Sequence, residues 1–178
     1  MRIFLAGVSC VGKTAIGIEL AKLLNYRFFD FDEEVEKYYG IPIEHLQEKY
    51  LTMDLFRQKA SIALAHMLSS KESINAVIAL SPSGLMGVYW EVVKASSGMI
   101  IVIKDTAPNI LDRIKFYDKD SKPISITLSV REKKAYLTDI KKDILYYNSS
   151  YKRANYEVSI KGLNIGDAAR KIQKVVFK

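Results

Sequence analysis

The chain has 178 residues, of which 49% are hydrophobic and 26% are charged. At about 150 residues per domain, this length predicts one globular domain over residues 1–178. The composition excludes disordered, collagen-like and coiled-coil classes. The sequence has no apolar run of the roughly 20 residues that a membrane-spanning helix needs. A single cysteine excludes an internal disulfide, and we expect a cytoplasmic protein without a secretory signal.

Charge is distributed unevenly along the chain, whose formal net charge is +7. Residues 1–93 carry nine basic and eleven acidic side chains, whereas residues 94–178 carry 18 basic and nine acidic ones. A basic half indicates either a polyanionic partner, such as nucleic acid or a nucleoside triphosphate, or a solvated lysine-rich surface. Because no nucleic-acid-binding motif accompanies the charge, nucleic acid is the less favoured partner.

The N-terminal region alternates between apolar runs and helical periodicity. Residues 3–6 form the short apolar run typical of a strand that is covered on both faces. A glycine-bounded loop follows at 7–14, and an apolar helical period then continues to residue 24. A second strand is predicted at 27–31, and a helix is predicted at 33–39.

The same alternation continues to the end of the chain. In chain order, the pattern predicts a helix at 54–68, a strand at 76–80, a helix at 85–95, a strand at 99–103, a helix at 108–114, a polar loop at 118–125, a long amphipathic helix at 130–151, a strand at 156–160 and a helix at 165–176. Strands that alternate with helices predict an α/β fold with a parallel sheet of about five strands.

The segment after the first strand has the pattern of a phosphate-binding loop. It reads Gly7-Val8-Ser9-Cys10-Val11-Gly12-Lys13-Thr14 and matches G-x-x-x-x-G-K-[ST] between a strand and a helix. Glycines let backbone N–H groups turn towards phosphate oxygens, and the start of the helix adds its positive end. We therefore predict that all eight residues bind ATP, that Lys13 reaches the β- and γ-phosphates and that the Thr14 hydroxyl ligates Mg²⁺.

Two carboxylates follow the second strand. Asp30 and Asp32 are separated by one residue, so on a strand they would point to the same face. Open parallel sheets bind ligands at the carboxyl ends of their strands. We therefore expect Asp30 to support Mg²⁺ and Asp32 to accept a hydrogen bond, or a proton, from a substrate hydroxyl. The alternative is that both acids cap the next helix, because carboxylates favour a first helical turn.

Together these motifs resemble the shikimate kinase family. The matching segments in the N-terminal third are Gly7 to Thr14, Asp30-x-Asp32, Gly40-Ile41-Pro42-Ile43 and Phe56-Arg57. Weaker similarity continues through Ala76 to Leu80, Ile110 to Ile114, Lys122-Pro123 and Tyr151 to Ile160. The resemblance implies a three-layer P-loop fold of the nucleoside-monophosphate-kinase type, with a five-stranded parallel sheet, flanking helices and a short lid near 117–127.

The resemblance also implies an activity and roles for particular residues. The family transfers the γ-phosphate of MgATP to a hydroxyl of shikimate, a step of aromatic amino-acid biosynthesis. By position, Lys13, Asp32 and Lys122 are the implied catalytic residues, Thr14 and Asp30 the metal-binding pair, and Arg113 the adenine-side arginine. The implied substrate contacts are Asp32, Arg57, Ser81, Ser83 and Gly84. The implied partners are ATP and a small hydroxylated acid, and we expect a monomer.

The acceptor half departs from the family pattern at several positions. Ser81-Pro82-Ser83 stands where the family has three glycines, and Pro82 has no N–H to donate. Lys122 replaces a lid arginine and lacks its bidentate fork. Tyr147 and Asn148 stand where a second carboxylate-binding arginine is expected, and Arg131 or Arg153 are candidates to replace it. Two alternative functions follow. The protein is a kinase of the same fold that acts on another hydroxyl compound, or it is a nucleotide-binding regulatory protein without catalytic activity.

Overall fold

Five parallel strands form the central sheet of this computed structural model, which describes residues 1–177. The strands of this sheet are β1 (Arg2–Ala6), β2 (Arg27–Asp30), β3 (Ala76–Ala79), β4 (Met99–Lys104) and β7 (Tyr156–Ser159). The two short strands β5 (Phe116–Tyr117) and β6 (Pro123–Ile124) form a separate hairpin. The sheet order is β2-β3-β1-β4-β7, and every neighbouring pair is parallel. The predicted five-stranded parallel sheet is confirmed, and each strand differs from its predicted bounds by one residue at one end.

Eight helices accompany the strands within residues 1–177. They are α1 (Lys13–Leu24), α2 (Phe31–Tyr39), α3 (Ile43–Glu48), α4 (Met53–Ser69), α5 (Gly87–Ala95), α6 (Ala107–Leu111), α7 (Val130–Tyr151) and α8 (Ile165–Val176), with a 3₁₀ turn at Lys71–Ser73. In this part of the chain no helix combines the length and apolar character needed to cross a bilayer. The helices flank the sheet, as the alternating pattern predicted.

The core lies where the helices cover the central strands. Every residue of β3 is buried, and so are four of the five residues of β1. Strands buried on both faces lose the polar alternation of a half-exposed strand, which explains their continuous apolar runs. One hydrophobic cluster extends from Ile3 to Val176 and joins the sheet to its helices.

The structure corrects the expected placement of the two acidic residues after β2. Asp30 ends the strand and caps α2, because its side chain accepts a hydrogen bond from the backbone N–H of Asp32. Helix α2 therefore begins at Phe31, two residues before the predicted start, and Asp32 lies in its first turn. The prediction that both carboxylates lie on one face of a strand was wrong. A carboxylate at a helix start can accept hydrogen bonds from the free backbone N–H groups there, and Asp30 does this for α2.

The predicted polar loop at 118–125 contains the turn of a short hairpin. Strands β5 and β6 pair antiparallel, and the Asp118 N–H donates to Lys122 O at 2.9 Å. The Asp118 carboxylate also accepts the N–H groups of Asp120 and Lys122, while Ser121 takes a left-handed conformation with φ of 59°. Strands of two residues are too short to produce a recognisable alternating pattern in the sequence.

Helix α3 was not expected from the sequence. It begins after Pro42, and the carboxylate of Glu36 accepts the Ile43 N–H at 2.7 Å. A cap from seven residues away has no local sequence signature, because it depends on how α2 and α3 are arranged in space. Helix α6, predicted to reach residue 114, ends at Leu111.

The long helix α7 carries a capping box at its start. Ser129 Oγ accepts the N–H of Glu132, and the Glu132 carboxylate accepts the N–H of Ser129. Ser129→Ala should therefore lower the free energy of unfolding by about 1 kcal/mol, the usual loss for an N-cap. The control is Ser149→Ala, at an exposed helical position of α7. Equal denaturant midpoints for both variants would contradict the capping role.

Candidate active site

The loop between β1 and α1 requires glycine at its first position. Gly7 has a φ of +147°, in the region that side chains rarely adopt. A Cβ there would lie 2.7 Å from Ile103 O and 2.9 Å from a methyl of Val11. Because Val11 is fully buried, it anchors the loop in the core. Residues 7–14 thus form a tight turn that leads into the N-terminus of α1.

The Lys13 ammonium closes this loop from inside. Its Nζ donates to Gly7 O and to Val8 O, both at 2.9 Å. Loss of hydration in this crowded position lowers the pKa of Lys13 to about 8, although the negative charges of Asp32 and Asp30 oppose the shift. The ammonium therefore loses its proton more readily than an exposed lysine, and it lies within the loop that is predicted to hold phosphate.

Thr14 connects the loop to the end of β2. Its hydroxyl donates to a carboxylate oxygen of Asp30 at 2.7 Å. Asp30 ends β2, and β3 lies between β2 and β1 in the sheet. This contact brings together the two residues that were predicted to bind Mg²⁺.

Asp32 lies beside this pair with an altered acidity. It keeps contact with solvent, yet the protein atoms around it remove enough hydration to raise its pKa to about 6. The neighbouring charge of Asp30 raises the pKa further, whereas Lys13 lowers it. A carboxylate with a pKa near neutrality has the acidity expected of a general base.

Arg57 approaches the same region from α4. Its guanidinium donates to the Asp54 carboxylate at 3.1 Å, and the side chain is 27% exposed. Burial raises the pKa of Tyr89, the charge of Asp32 raises it further, and the charge of Arg57 lowers it. The charges of Asp32 and Arg57 therefore act on the acidity of the same buried tyrosine in opposite directions.

The turn after β3 contains an unpaired hydroxyl. The Gly84 N–H donates to Ser81 O at 2.9 Å, and the Met86 N–H donates to Ser83 O at 2.8 Å. A Cβ on Gly84 would lie 2.6 Å from the Cβ of Leu80, so the turn is closely packed. Within residues 1–177, the Ser81 hydroxyl is buried without a hydrogen-bond partner. Buried polar groups of this kind are rare and costly unless a ligand satisfies them.

Two residues near the end of α7 hold this turn in place. The Tyr151 hydroxyl donates to Pro82 O at 3.1 Å. Arg153 donates to Leu85 O at 2.5 Å, and its guanidinium lies 5.0 Å from the centre of the Trp90 ring. Arg153, a candidate for the second substrate arginine, is thus engaged with α5 and its preceding turn. Arg131, the other candidate, lies exposed in the first turn of α7.

Arg113 lies on the other side of the phosphate loop. It forms an ion pair with the buried Asp105, and its Nε donates to Asn109 O at 2.9 Å. Burial tends to raise the pKa of Asp105, but hydrogen bonds from Arg113 and from its other partners outweigh this effect and lower it. A Cβ on Gly12 would lie 3.9 Å from Arg113 Nη1, so the guanidinium borders the loop.

A cavity of about 120 Å³ separates this loop from α7. Its lining residues are Val8, Val11, Ile103, Lys104, Asp105, Ile144, Asn148 and Tyr151. Its wall is mostly apolar, and Asp105, which forms the ion pair with Arg113, is one of its charged members.

The β5–β6 hairpin contacts the helices on the acidic side of the site. Ser121 Oγ donates to the Glu36 carboxylate at 2.5 Å. The Asp120 carboxylate lies 3.0 Å from His45 Nε2. Lys119 Nζ donates to the Glu48 carboxylate at 2.6 Å. Lys122, predicted to reach the phosphates, has an exposed side chain on this hairpin.

The structure thus groups most of the expected residues and adds others. The phosphate loop, Asp30 and Asp32 form one cluster, with Arg57 nearby. From the sequence, no site role was assigned to Glu36 or Tyr89, and Tyr147 was named only as standing where a second carboxylate-binding arginine was expected. The pKa of Tyr147 is raised by burial and by the charge of Asp143, and the charge of Arg57 partly opposes this shift. A tyrosine in an apolar helical run has no sequence signal that separates these roles.

The fold and this edge of the sheet define the class of protein. A phosphate loop between the central strand and α1, with acidic residues at the end of β2, is the arrangement of a P-loop phosphotransferase. The family model for shikimate kinase matches residues 9–175. The chain therefore belongs to the shikimate kinase family.

Individual relatives agree with this assignment. The chain is 32% identical to a shikimate kinase of Aquifex aeolicus over 126 residues, or 70% of each chain, and 26% identical to one of Flavobacterium psychrophilum over 99% of each. The structure of the Acinetobacter baumannii shikimate kinase in complex with shikimate matches with a TM-score of 0.77 and 25% identity, covering 99% of this chain and 92% of that one. The Bacteroides thetaiotaomicron enzyme matches in fold, with a TM-score of 0.81 and 18% identity over 100% and 99% of the two chains.

The raised pKa of Asp32 predicts a stability effect in the protein without ligands. Because the folded-state pKa of about 6 lies above the ordinary value of 3.8, ionised Asp32 destabilises the fold above pH 6. Asp32→Asn should raise the melting temperature at pH 7.5, and the gain should shrink as pH falls towards 4. Thermal unfolding at both pH values measures this, with Glu91→Gln on exposed α5 surface as the control. A lower melting temperature for Asp32→Asn at pH 7.5 would contradict the assigned desolvation.

Proposed function

We propose that this protein transfers the γ-phosphoryl group of ATP to a hydroxyl of shikimate. Membership of the shikimate kinase family supports this activity, and the structure of a relative was solved with shikimate bound. The observation that carries the proposal is the 2.7 Å contact between Thr14 and Asp30. It joins the phosphate loop to the acidic pair, so ATP and the hydroxyl that receives its phosphoryl group would meet at this edge of the sheet.

The ATP half of the site would consist of the phosphate loop and its surroundings. Backbone N–H groups of residues 7–14 and the start of α1 would bind the phosphates. Lys13, which now donates to two loop carbonyls, would exchange these for oxygens of the β- and γ-phosphates. Arg113, which borders Gly12, would lie on the adenine side.

Thr14 and Asp30 fit the requirements of a magnesium site. A hydroxyl and a carboxylate are oxygen ligands, and Mg²⁺ is held by few protein groups together with phosphate oxygens. The two side chains already lie within hydrogen-bond distance of each other. When bound, the ion would neutralise charge on the β- and γ-phosphates.

Asp32 would activate the acceptor hydroxyl, and Arg57 would bind the acceptor. Asp32 would accept the hydroxyl proton as the hydroxyl oxygen attacks the γ-phosphorus and the bond to the bridging oxygen of ADP breaks. Arg57 would pair with the carboxylate of the acid through charge-assisted hydrogen bonds. Ser81, Ser83 and Gly84 would contact the acceptor from the turn after β3, where the unpaired Ser81 hydroxyl supplies a free donor and acceptor.

A different hydroxylated acid is the second candidate acceptor. Pro82 provides no N–H, and its carbonyl is already bonded to Tyr151. The Ser81 side chain adds a buried polar group to the same turn. An acceptor whose shape and oxygens match these side chains would then be preferred over shikimate.

The decisive measurement is acceptor-dependent release of ADP from MgATP. Wild-type protein should release ADP with shikimate faster than with other hydroxy acids, sugars or nucleotides. Lys13→Ala should lower turnover by at least about a hundredfold, because phosphate positioning and charge stabilisation supply most of the catalysis. Its circular dichroism spectrum serves as the folding control. Full activity in Lys13→Ala would refute the proposed role of this lysine. No turnover with shikimate in the wild-type protein would refute shikimate as the acceptor.

We also propose that residues 117–127 act as a lid. The hairpin at their centre is held to α2 and α3 by polar side-chain contacts, which water and ligands can exchange more readily than apolar packing. Closure over the nucleotide would exclude water and bring Lys122 to the phosphates.

Lys122→Ala should therefore lower kcat about tenfold or more while leaving the melting temperature unchanged. Steady-state kinetics and thermal unfolding measure the two effects. Lys141→Ala is the matched control, since it removes an exposed lysine from α7, outside the hairpin. A kcat of Lys122→Ala equal to that of wild type would remove Lys122 from the mechanism.

A further inference from the structure

The turn after β3, residues 81–85, lies between the phosphate loop and the acidic pair. Strand β3 pairs with β1 on one side and with β2 on the other, and Ala79 is level with both Leu5 and Asp30. The Leu80 N–H continues this register by donating to Leu5 O at 2.9 Å. Because all three strands are parallel, the chain leaves β3 beside the start of the phosphate loop and the end of β2. The position of the turn therefore affects both halves of the proposed site.

Hydrogen bonds from the end of α7 fix this turn at two points. Two bonds between its own backbone groups and those that follow close the turn on itself. From outside, the Tyr151 hydroxyl donates to Pro82 O at 3.1 Å, and Arg153 donates to Leu85 O at 2.5 Å. Tyr151 is the last residue of α7, and Arg153 follows two residues later. The conformation of the turn thus depends on a helix that is distant in sequence.

Tyr151 is a buried donor whose ring is packed beside the phosphate loop. The residue is 4% exposed, and its ring stacks on Tyr147 with centroids 5.8 Å apart and planes at 22°. Burial raises the pKa of the Tyr151 hydroxyl, so the phenol stays protonated and can donate. The ring also lines the cavity that is bordered by Val8 and Val11 of the phosphate loop. One side chain therefore connects the surroundings of the loop to the turn after β3.

The turn that Tyr151 holds carries the Ser81 hydroxyl, which is buried without a partner within residues 1–177. We propose that Tyr151 is a positioning residue for phosphoryl transfer, whose hydrogen bond to Pro82 O holds the Ser81 hydroxyl in place for the acceptor. The inference rests on the proposed function and adds a residue that acts through the turn without touching the acceptor. Such a residue can matter strongly, because a misplacement of about 1 Å in a site can cost on the order of a hundredfold in rate.

Tyr151→Phe tests this role, because it removes the hydroxyl and keeps the stacked ring. In the protein without ligands, hydrogen exchange at the Gly84 and Met86 amides should become about tenfold faster, since these amides close the turn that has lost its outer bond. Ser73→Ala is the matched control, because it removes another buried hydroxyl, which donates to Leu68 O beside the start of β1. The control should leave exchange at the turn unchanged. Unchanged exchange in Tyr151→Phe would overturn the inference.

Kinetics then test whether the held turn serves the acceptor. With MgATP and the acceptor that releases ADP fastest, Tyr151→Phe should raise the acceptor KM at least about fivefold and leave the KM for ATP within about twofold of wild type. Ser73→Ala should keep both constants, although it also loses stability. A merely structural loss would not produce this division between the two substrates.

A double-mutant cycle with Ser81→Ala shows whether Tyr151 acts through the turn. Ser81→Ala should itself raise the acceptor KM, and adding Tyr151→Phe should then change it by less than about twofold, because residues that act through one another are not additive. An acceptor KM that Ser81→Ala leaves unchanged would overturn the inference. Single effects that multiply in the double variant would do the same.

Wild-type turnover separates this inference from the proposed function. Absence of ADP release with every acid refutes the proposed function, and the exchange measurement still tests the hold of Tyr151 on the turn. Turnover with an acceptor KM that is indifferent to the Tyr151 hydroxyl refutes the positioning role alone.

Discussion

The hydrogen bond between Thr14 and Asp30 is the contact on which the arrangement of the site depends. It can form only because β1 and β2 run parallel, with β3 between them, so that their carboxyl ends reach the same edge of the sheet. A strand reversed in direction would take Asp30 to the opposite edge. The backbone register of the sheet therefore determines the distance between the phosphate loop and the acidic pair.

Unfavourable local features are concentrated at this edge. Asp32 has lost hydration, the Ser81 hydroxyl has no partner within residues 1–177, and Gly7 adopts a conformation closed to other residues. Each feature costs free energy that the apolar core offsets elsewhere. Such costs are expected where a ligand completes the interactions, because a site that is fully satisfied without its ligand has little to gain from binding.

Hydrogen bonds of Glu36 connect the hairpin, α2 and α3 beside the site. Glu36 accepts hydrogen bonds both from the Ile43 N–H at the start of α3 and from the Ser121 hydroxyl of the hairpin. One carboxylate on α2, the helix that begins at Phe31, thus connects three segments that are distant in sequence. Movement of the hairpin would consequently be coupled to the helices beside the proposed acceptor site.

The sequence by itself determined the alternating elements, the five parallel strands and the phosphate loop, because each produces a local pattern of apolar spacing or glycine placement. It also indicated Asp30 and Asp32, although the preferred placement of both on one strand face was wrong and the alternative, at the start of the next helix, was right. Only the tertiary structure decided the cap of α3 by Glu36, the use of Arg153 against Leu85 O and Trp90, and the position of Tyr89. These features depend on side chains from separate elements meeting in space, and a linear pattern contains no record of such distances.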